Sequence, residues 1–358
     1  MHKDERESHL NRVYCQSCDG GPVKVYTGTH HNFVDTDYFV HVTEITNLCP
    51  ATTYRFGFHK DHLNFKFKTI PRDTKEAIRF VVGGDTYFSK ELLKAGNLLA
   101  AKQNPMFVVI GGDIAYSVSK YSLGNDTEDL QRWFDWLERW KEDMVGLNGN
   151  LIPLIVAIGN HEVEGKYNQS PKEARGFYDL FSMPGKRGYN VLDFNNFLTI
   201  LLLDSGHTNP IEGDQAEWIA KTLDARRHFY HRFAVYHVAA YPSVRPFSYK
   251  RSKYVRQHWP AIFEQHGLSV AFEHHDHAYK RTHLLRGDKI DPKGVLYMGD
   301  GAWGVNARQV KSPKDCWYLA KSASVNHVIC VDLKGKERYF TVFDTKERVV
   351  DSYFDNRP

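Results

Sequence analysis

Few of the features that would settle a protein's class by themselves occur in this sequence. Five cysteines in 358 residues (Cys15, Cys18, Cys49, Cys316 and Cys330) are too few for a disulfide scaffold. Cys15-Gln-Ser-Cys18 has the spacing of half a zinc site, but no second pair follows it. Cys316 and Cys330 would pair only in an exported protein, and the sequence alone leaves that open. No run of 18 apolar residues exists, so no transmembrane helix is expected. Charge of one sign is also lacking. The 47 Lys and Arg nearly balance the 43 Asp and Glu, and the net charge of +4 is scattered, so no nucleic-acid footprint is expected. There are no repeats or low-complexity tracts. The opening MHKDERESHLNR has no apolar core and is not a secretory signal; the expectation is a cytoplasmic protein or a chain without its natural start. What is abundant is histidine, with 19 residues, the commonest metal ligand and a frequent acid–base catalyst. The length fits one large domain or two ordinary ones, and a 42% hydrophobic content is enough for a core.

Residues 20–70 read as β structure. VKVYTG (23–28), DYFVHVTEI (37–45) and TYRFGF (53–58) are short, aromatic and β-branched, with turn residues between them. HVTEITNLCPATTYRFGF resembles the end of a fibronectin type III-like domain, with Leu48, Pro50 and Tyr54 marking the turn into a late strand. Tyr54 would then be a tyrosine corner, its hydroxyl bonded to nearby backbone. A full sandwich needs about 100 residues, so residues 1–72 are expected to be a partial β domain with a truncated start.

From about residue 76 to 352 apolar runs alternate with helical segments. The runs at 78–84, 106–112, 151–159, 197–204, 232–237, 268–274 and 294–300 are of buried-strand type. Ser89 to Gln103 has helical spacing with Ser89 as N-cap. Asp126 to Met144 carries Trp133, Trp136, Leu137, Trp140 and Met144 on one stripe, which reads as core packing. Trp218 fits a packing helix in the same way. The alternation predicts an α/β domain with helices on the sheet faces.

In such domains ligands gather at the carboxyl ends of strands. Here those ends share one chemistry: Gly84-Asp85, Gly112-Asp113 followed by Tyr116, Gly159-Asn160-His161-Glu162, Tyr236-His237, and His274-His275-Asp276-His277. One Gly-Asp after a strand is ordinary loop chemistry, but five endings in order, all Asp, Asn or His, point to a pair of metal ions. Carboxylates and imidazoles neutralise and hold such cations, and two ions roughly 3.5–4 Å apart can clamp a phosphoryl group.

These blocks, with His275-Asp276-His277-Ala278-Tyr279-Lys280-Arg281 as the fifth, resemble the calcineurin-like metallophosphoesterases. Tyr116 and the fifth block point to the purple acid phosphatase branch. The resemblance implies a β-sandwich flanked by helices, an α-β-β-α order, behind the fibronectin-like region. Asp85, Tyr116 and His277 would bind a first ion, typically Fe(III), and Asp113 would bridge. Asn160, His237 and His275 would bind a second ion, typically Fe(II), Zn(II) or Mn(II). His161 would act on the substrate rather than on a metal, in the hydrolysis of a small phosphate monoester by in-line attack of a metal-held hydroxide. A phosphodiesterase or pyrophosphohydrolase on the same scaffold is the alternative, and a non-catalytic binding protein a third. The family is mostly exported.

The chain departs from the family pattern at three places. Tyr87 and His274 stand where glycine is usual, and the stretch Pro242 to Arg251 has no histidine for substrate. Arg245 or Arg251 is the expected replacement, because a guanidinium pairs well with phosphate. His274 is read as a neighbour of the ligands, and His207, His231 and His283 as ordinary histidines.

Overall fold

The computed structural model describes residues 11–119, 127–183 and 185–357. Six short strands open the chain: β1 (Arg12–Ser17), β2 (Lys24–Thr27), β3 (Thr29–Asn32), β4 (Phe39–Val42), β5 (Thr53–Gly57) and β6 (Phe65–Lys68). Strands β2-β1-β5-β6 form an antiparallel sheet, and β3 and β4 pair as a separate hairpin. The tyrosine corner is present, with the Cys49 N–H donating to Tyr54 Oη at 2.8 Å. This all-β region fits the fibronectin-like expectation. The sequence reading missed β1, β3 and β6.

The remainder forms two sheets. Its elements are β7 (Ile78–Gly83), α1 (Lys90–Lys102), β8 (Val108–Gly111), α2 (Leu130–Asp143), β9 (Leu154–Ala157), α3 (Arg175–Leu180), β10 (Asn190–Phe194), β11 (Leu198–Leu202), α4 (Asp214–Ala225), β12 (His231–Val238), α5 (Lys250–His258), α6 (Pro260–His266), β13 (Val270–His274), β14 (Tyr279–Arg286), β15 (Lys289–Ile290), β16 (Val295–Gly299), β17 (Leu319–Ala323), β18 (His327–Lys334), β19 (Glu337–Asp344) and β20 (Val349–Asp355). The first sheet runs β20-β19-β18-β7-β8-β9 and the second β10-β11-β12-β13-β16-β14-β15, with β17 on β14. Four parallel pairs (β7 and β8, β8 and β9, β11 and β12, β12 and β13) are joined by helical crossovers, and a fifth, β13 and β16, is joined through β14 and β15.

Period-two alternation sorts the side chains into layers. Phe80, Val82 and Val109 of the first sheet meet Phe233, Val235, Phe272 and Met298 of the second between the sheets. Val81, Val108 and Ile110 face outward onto Leu93 and Leu99 of α1 and Trp133 and Trp136 of α2. Ala234, Tyr236 and Tyr297 face outward onto Ile219, Leu223, Val255 and Phe263. The result is the expected α-β-β-α stack, and burial on both faces explains why its strands read as unbroken apolar runs. Ser89 caps α1, its side chain accepting from Leu92 N. Helix α2 starts at Leu130 with Asp129 as cap; Asp126, the expected start, lies outside the described residues. No described helix is long and apolar enough to cross a membrane. All five cysteines are free thiols, Cys316 and Cys330 among them.

Candidate metal centre

The carboxyl ends of β7, β8, β9, β12 and β13 converge, and seven of the expected donors arrive there together with His161. Asp113 sits between two groups. Its Oδ2 lies 3.1 Å from His237 Nε2, and His237 Nε2 lies 3.1 Å from His275 Nδ1 and 3.2 Å from Asn160 Oδ1. On the other side Asp85 Oδ1 lies 3.0 Å from His277 Nε2 and accepts from Tyr116 Oη at 3.2 Å. Two sets, Asp113 with His237 and His275 and Asp85 with Asp113 and His277, each offer ligand atoms within 4.8 Å of one another. Asp113 belongs to both. Among the described residues no other histidine, cysteine or carboxylate group of this kind occurs.

The backbone is bent to make this meeting possible. Asp85, Asp113, Tyr116, His275 and His277 have φ of 57°, 52°, 53°, 77° and 61°. Non-glycine residues in that region cost on the order of 1–3 kcal/mol each and persist only where the surroundings dictate them. Gly112, with φ of 90°, and Gly159 let the ends of β8 and β9 touch. A Cβ on Gly112 would fall 2.7 Å from Gly159 Cα, and one on Gly159 would fall 2.2 Å from Asp113 N.

Fixed donors hold the side chains in place. The His161 N–H donates to Asp113 Oδ1 at 2.8 Å, the His275 N–H to Asp85 Oδ2 at 2.9 Å, and His237 Nδ1–H to Gly111 O at 3.0 Å. Asp113 Oδ2 is buried and has no hydrogen-bond partner despite its closeness to His237. An orphaned carboxylate oxygen amid imidazole nitrogens and a second carboxylate is the donor chemistry that a divalent or trivalent cation satisfies. Burial opposes the charge on Asp113, but His237 and His161 outweigh it and hold the carboxyl well below its usual range. Burial also opposes the charge on His237, and Asp113 and Asp85 outweigh it, raising the imidazole to about 9. Burial, then the charges of Asp85 and Asp113, hold the Tyr116 phenol well above its ordinary value. Its ionisation therefore requires a cation beside the oxygen.

The remaining expected residues stand at different distances from this cluster. The His161 ring stacks on Tyr116 at 4.3 Å between centroids, and its Nδ1 donates to Val118 O at 2.7 Å. The Arg245 guanidinium is engaged by Asp276 and donates to His275 O at 2.8 Å. Arg251 lies over the Tyr167 ring at 4.1 Å. His274 is buried with neither ring nitrogen partnered, its ring filling the space beside Gly84 and Gly111. His231 and His207 are buried. His207 sits 5.7 Å from His237 and stacks on Tyr167. His283 is exposed.

Three residues escaped the sequence reading. Glu162, fully buried, accepts the N–H groups of Asp113, Ile114 and Gly159 at 2.8, 2.7 and 2.9 Å, tying β8 to β9. Its place in the Gly-Asn-His-Glu block was the available signal. Tyr167 Oη lies 3.4 Å from both Asn160 Oδ1 and His275 Nε2, and Arg308 lines the cavity in front of Tyr116 and His161. Both are on irregular loops, where no periodicity marks them.

Residues 78–279, just over half of the chain, match the model of the calcineurin-like phosphoesterase family. Among curated proteins the chain is 24% identical over 299 residues to purple acid phosphatase 15 of Arabidopsis thaliana, covering 74% of this chain and 54% of that one. It is 26% identical over 276 residues to purple acid phosphatase 21 of the same plant, covering 73% of this chain and 58% of that one. The chain thus spans little more than half the length of these relatives. Among solved structures, the purple acid phosphatase PPD1 from yellow lupin (Lupinus luteus) seeds superposes with a TM-score of 0.75 at 12% identity, over 96% of this chain and 68% of that one. Its likeness is one of fold. The match runs from the first residue of β7 to the first residue of β14 and so takes in every strand end that supplies a donor: the chain belongs to the calcineurin-like phosphoesterase family.

Proposed function

We propose that the chain is a phosphoester hydrolase of acid phosphatase type, acting on phosphate monoesters with two metal ions at the strand-end cluster. The observation that carries this reading is the sharing of Asp113 between two donor groups, since a single carboxylate common to both is what a pair of adjacent cations needs. Asp85, Tyr116 and His277 would hold one ion, ferric iron, with Asp113 common to it and to a second ion of iron, zinc or manganese held by Asn160, His237 and His275. Two such cations would lower the pKa of a water and neutralise phosphoryl charge.

The protein's own groups do the rest. Glu162 keeps the Asp113 backbone fixed, so the shared carboxylate does not drift. His161 has its Nδ1 committed to Val118 O, which leaves Nε2 as the nitrogen that exchanges a proton with the leaving-group oxygen. Tyr167, from its place beside Asn160 and His275, orients that side of the site. In this reading residues 1–72 are a fibronectin type III-like region and 76–352 the catalytic domain.

Reconstitution with ferric iron and zinc should give hydrolysis of an aryl phosphate monoester somewhere between about pH 4 and 8, where an acid–base group of imidazole type operates. No turnover across that span overturns the reading, and faster hydrolysis of the matching diester replaces it with a phosphodiesterase. Tyr116→Phe, with ferric iron still bound by metal analysis, should lose the visible phenolate-to-iron band; an unchanged spectrum removes Tyr116 from the ligands.

A further inference from the structure

A cavity of about 490 Å³ opens in front of Tyr116, His161 and His277. Two arginines line it, and they differ in what they already hold. Arg132 Nε donates to Ala115 O at 2.8 Å, its Nη2 donates to Tyr87 O, and the guanidinium lies over the Tyr87 ring at 4.2 Å. Two of its five N–H donors are thus engaged, and its plane is set by the ring. Arg308 is pinned only through its backbone, whose N–H donates to His277 O at 2.8 Å. Its side chain is exposed, and among the described residues no hydrogen bond or ion pair engages the guanidinium. The other cations near the cluster are placed elsewhere: Arg245 is held by Asp276, and Arg251 rests on Tyr167. An anionic ester approaching the cluster through this cavity therefore meets in Arg308 a lining guanidinium that no described residue engages, on the residue hydrogen-bonded to the loop that carries His277.

Part of the lining is apolar. Phe88 is 52% exposed, an unusual position for a phenyl ring beside a cluster of charges. Its backbone N–H donates to Gly304 O at 2.9 Å, which fixes it to the loop that also presents Val305 and Arg308 to the cavity. An exposed ring and a guanidinium that no described residue engages, both lining one cavity, suit a ligand with an anionic head and a flat apolar body.

We propose that Arg308 binds the free phosphoryl oxygens of the substrate and that Phe88 stacks on its leaving group, so that the substrates are phosphate monoesters of aromatic alcohols. This rests on the monoesterase reading above and adds the residues that select the ester. In the metal-loaded protein, Arg308→Ala should weaken binding of inorganic phosphate, measured by calorimetry, and raise KM, each by about tenfold, the worth of one charge-assisted hydrogen-bonding contact. Arg308→Lys should recover part of both, because the charge returns without the planar fork. Phe88→Ala should raise KM for an aryl phosphate roughly fivefold and leave that for glycerol phosphate unchanged. Metal content and the visible band of the ferric site verify that each variant is folded. Unaltered phosphate binding in Arg308→Ala overturns the role of Arg308. Equal shifts on both esters, or none on either, in Phe88→Ala overturn the aromatic substrate class. A wild-type protein that binds phosphate but turns over neither ester counts against the hydrolase reading instead, and the calorimetric arm still decides Arg308.

Discussion

Asp113 carries more of the site than any other residue: its carboxylate belongs to both donor groups, its Oδ2 is orphaned, and its backbone is strained and clamped by Glu162. Asn in its place keeps the shape but removes the negative charge that two cations would share. Asp113→Asn should therefore retain fewer than two ions per chain after dialysis and lose activity by more than about a hundredfold, beyond the effect of removing an outer partner of a ligand. Two tightly held ions in the variant would contradict the shared role. His231 is one of several buried histidines that contribute to the response to acid. His231 is buried between the Gly335 carbonyl and the Arg338 guanidinium, and burial, then Arg338, push its pKa down to about 4. The unfolded chain takes up this proton near the ordinary value of about 6.5, so between those limits the unfolded state binds more protons. Stability is full above about pH 6.5 and drains as the pH falls toward 4, by roughly 3 kcal/mol for this group. His231→Gln, which cannot titrate, should lose correspondingly less over that span in urea denaturation; parallel curves for the two proteins would exclude His231 as a contributor.

At the scale of elements, the end of β8 and the end of β13 are fitted to each other. The His274 ring occupies the place beside Gly111, where a Cβ would fall 1.8 Å from its Cδ2. Gly111→Ala alone should cost about 2 kcal/mol through overpacking, and adding His274→Ala should return most of that, a coupling measurable by a double-mutant cycle. Additive losses would show that the ring yields freely. The sheet that contains β13 also holds a fully buried Lys280 bonded to Glu273 and 3.3 Å from Asp300. It joins β14, β13 and the turn after β16, and Asp300 O accepts the His277 N–H at 2.7 Å. Lys280→Met leaves two carboxylates buried without their cation and should cost about 3 kcal/mol or more in denaturant titration. The strands that end in donors were legible because each is an apolar run stopped by a glycine or a polar donor. Strands β3, whose sequence is Thr-His-His-Asn, and β6, Phe-Lys-Phe-Lys, were not recognised. Four-residue strands exist through their partners rather than through local pattern.

On the scale of the whole molecule, the N-terminal region is not merely attached. Its β3–β4 hairpin sends Phe33, fully buried, and Val40 into the layer containing Trp133 and Trp136. Phe33 packs edge-on against Phe134 of α2. Val34 N–H donates to Asp179 Oδ2 at 2.7 Å, and His31 Nε2 to Asp179 O at 2.9 Å. Phe33→Ala should lower stability by about 3 kcal/mol and speed proteolysis of the hairpin. A variant as stable and as protease-resistant as the wild type would mean that the hairpin is dispensable.

The sequence by itself determined the layered α/β class, the tyrosine corner at Tyr54 and which eight residues meet at the strand-end cluster, because strand periodicity and the chemistry at strand ends are local properties of the chain. It could not determine that Arg245 is held by Asp276 while no described residue engages the Arg308 guanidinium, that Tyr167 reaches between Asn160 and His275, or that His274 fits against Gly111. Those facts depend on which loops meet after both sheets have stacked. A guanidinium's availability is set by neighbours far away in sequence, and only the tertiary structure brings them within reach.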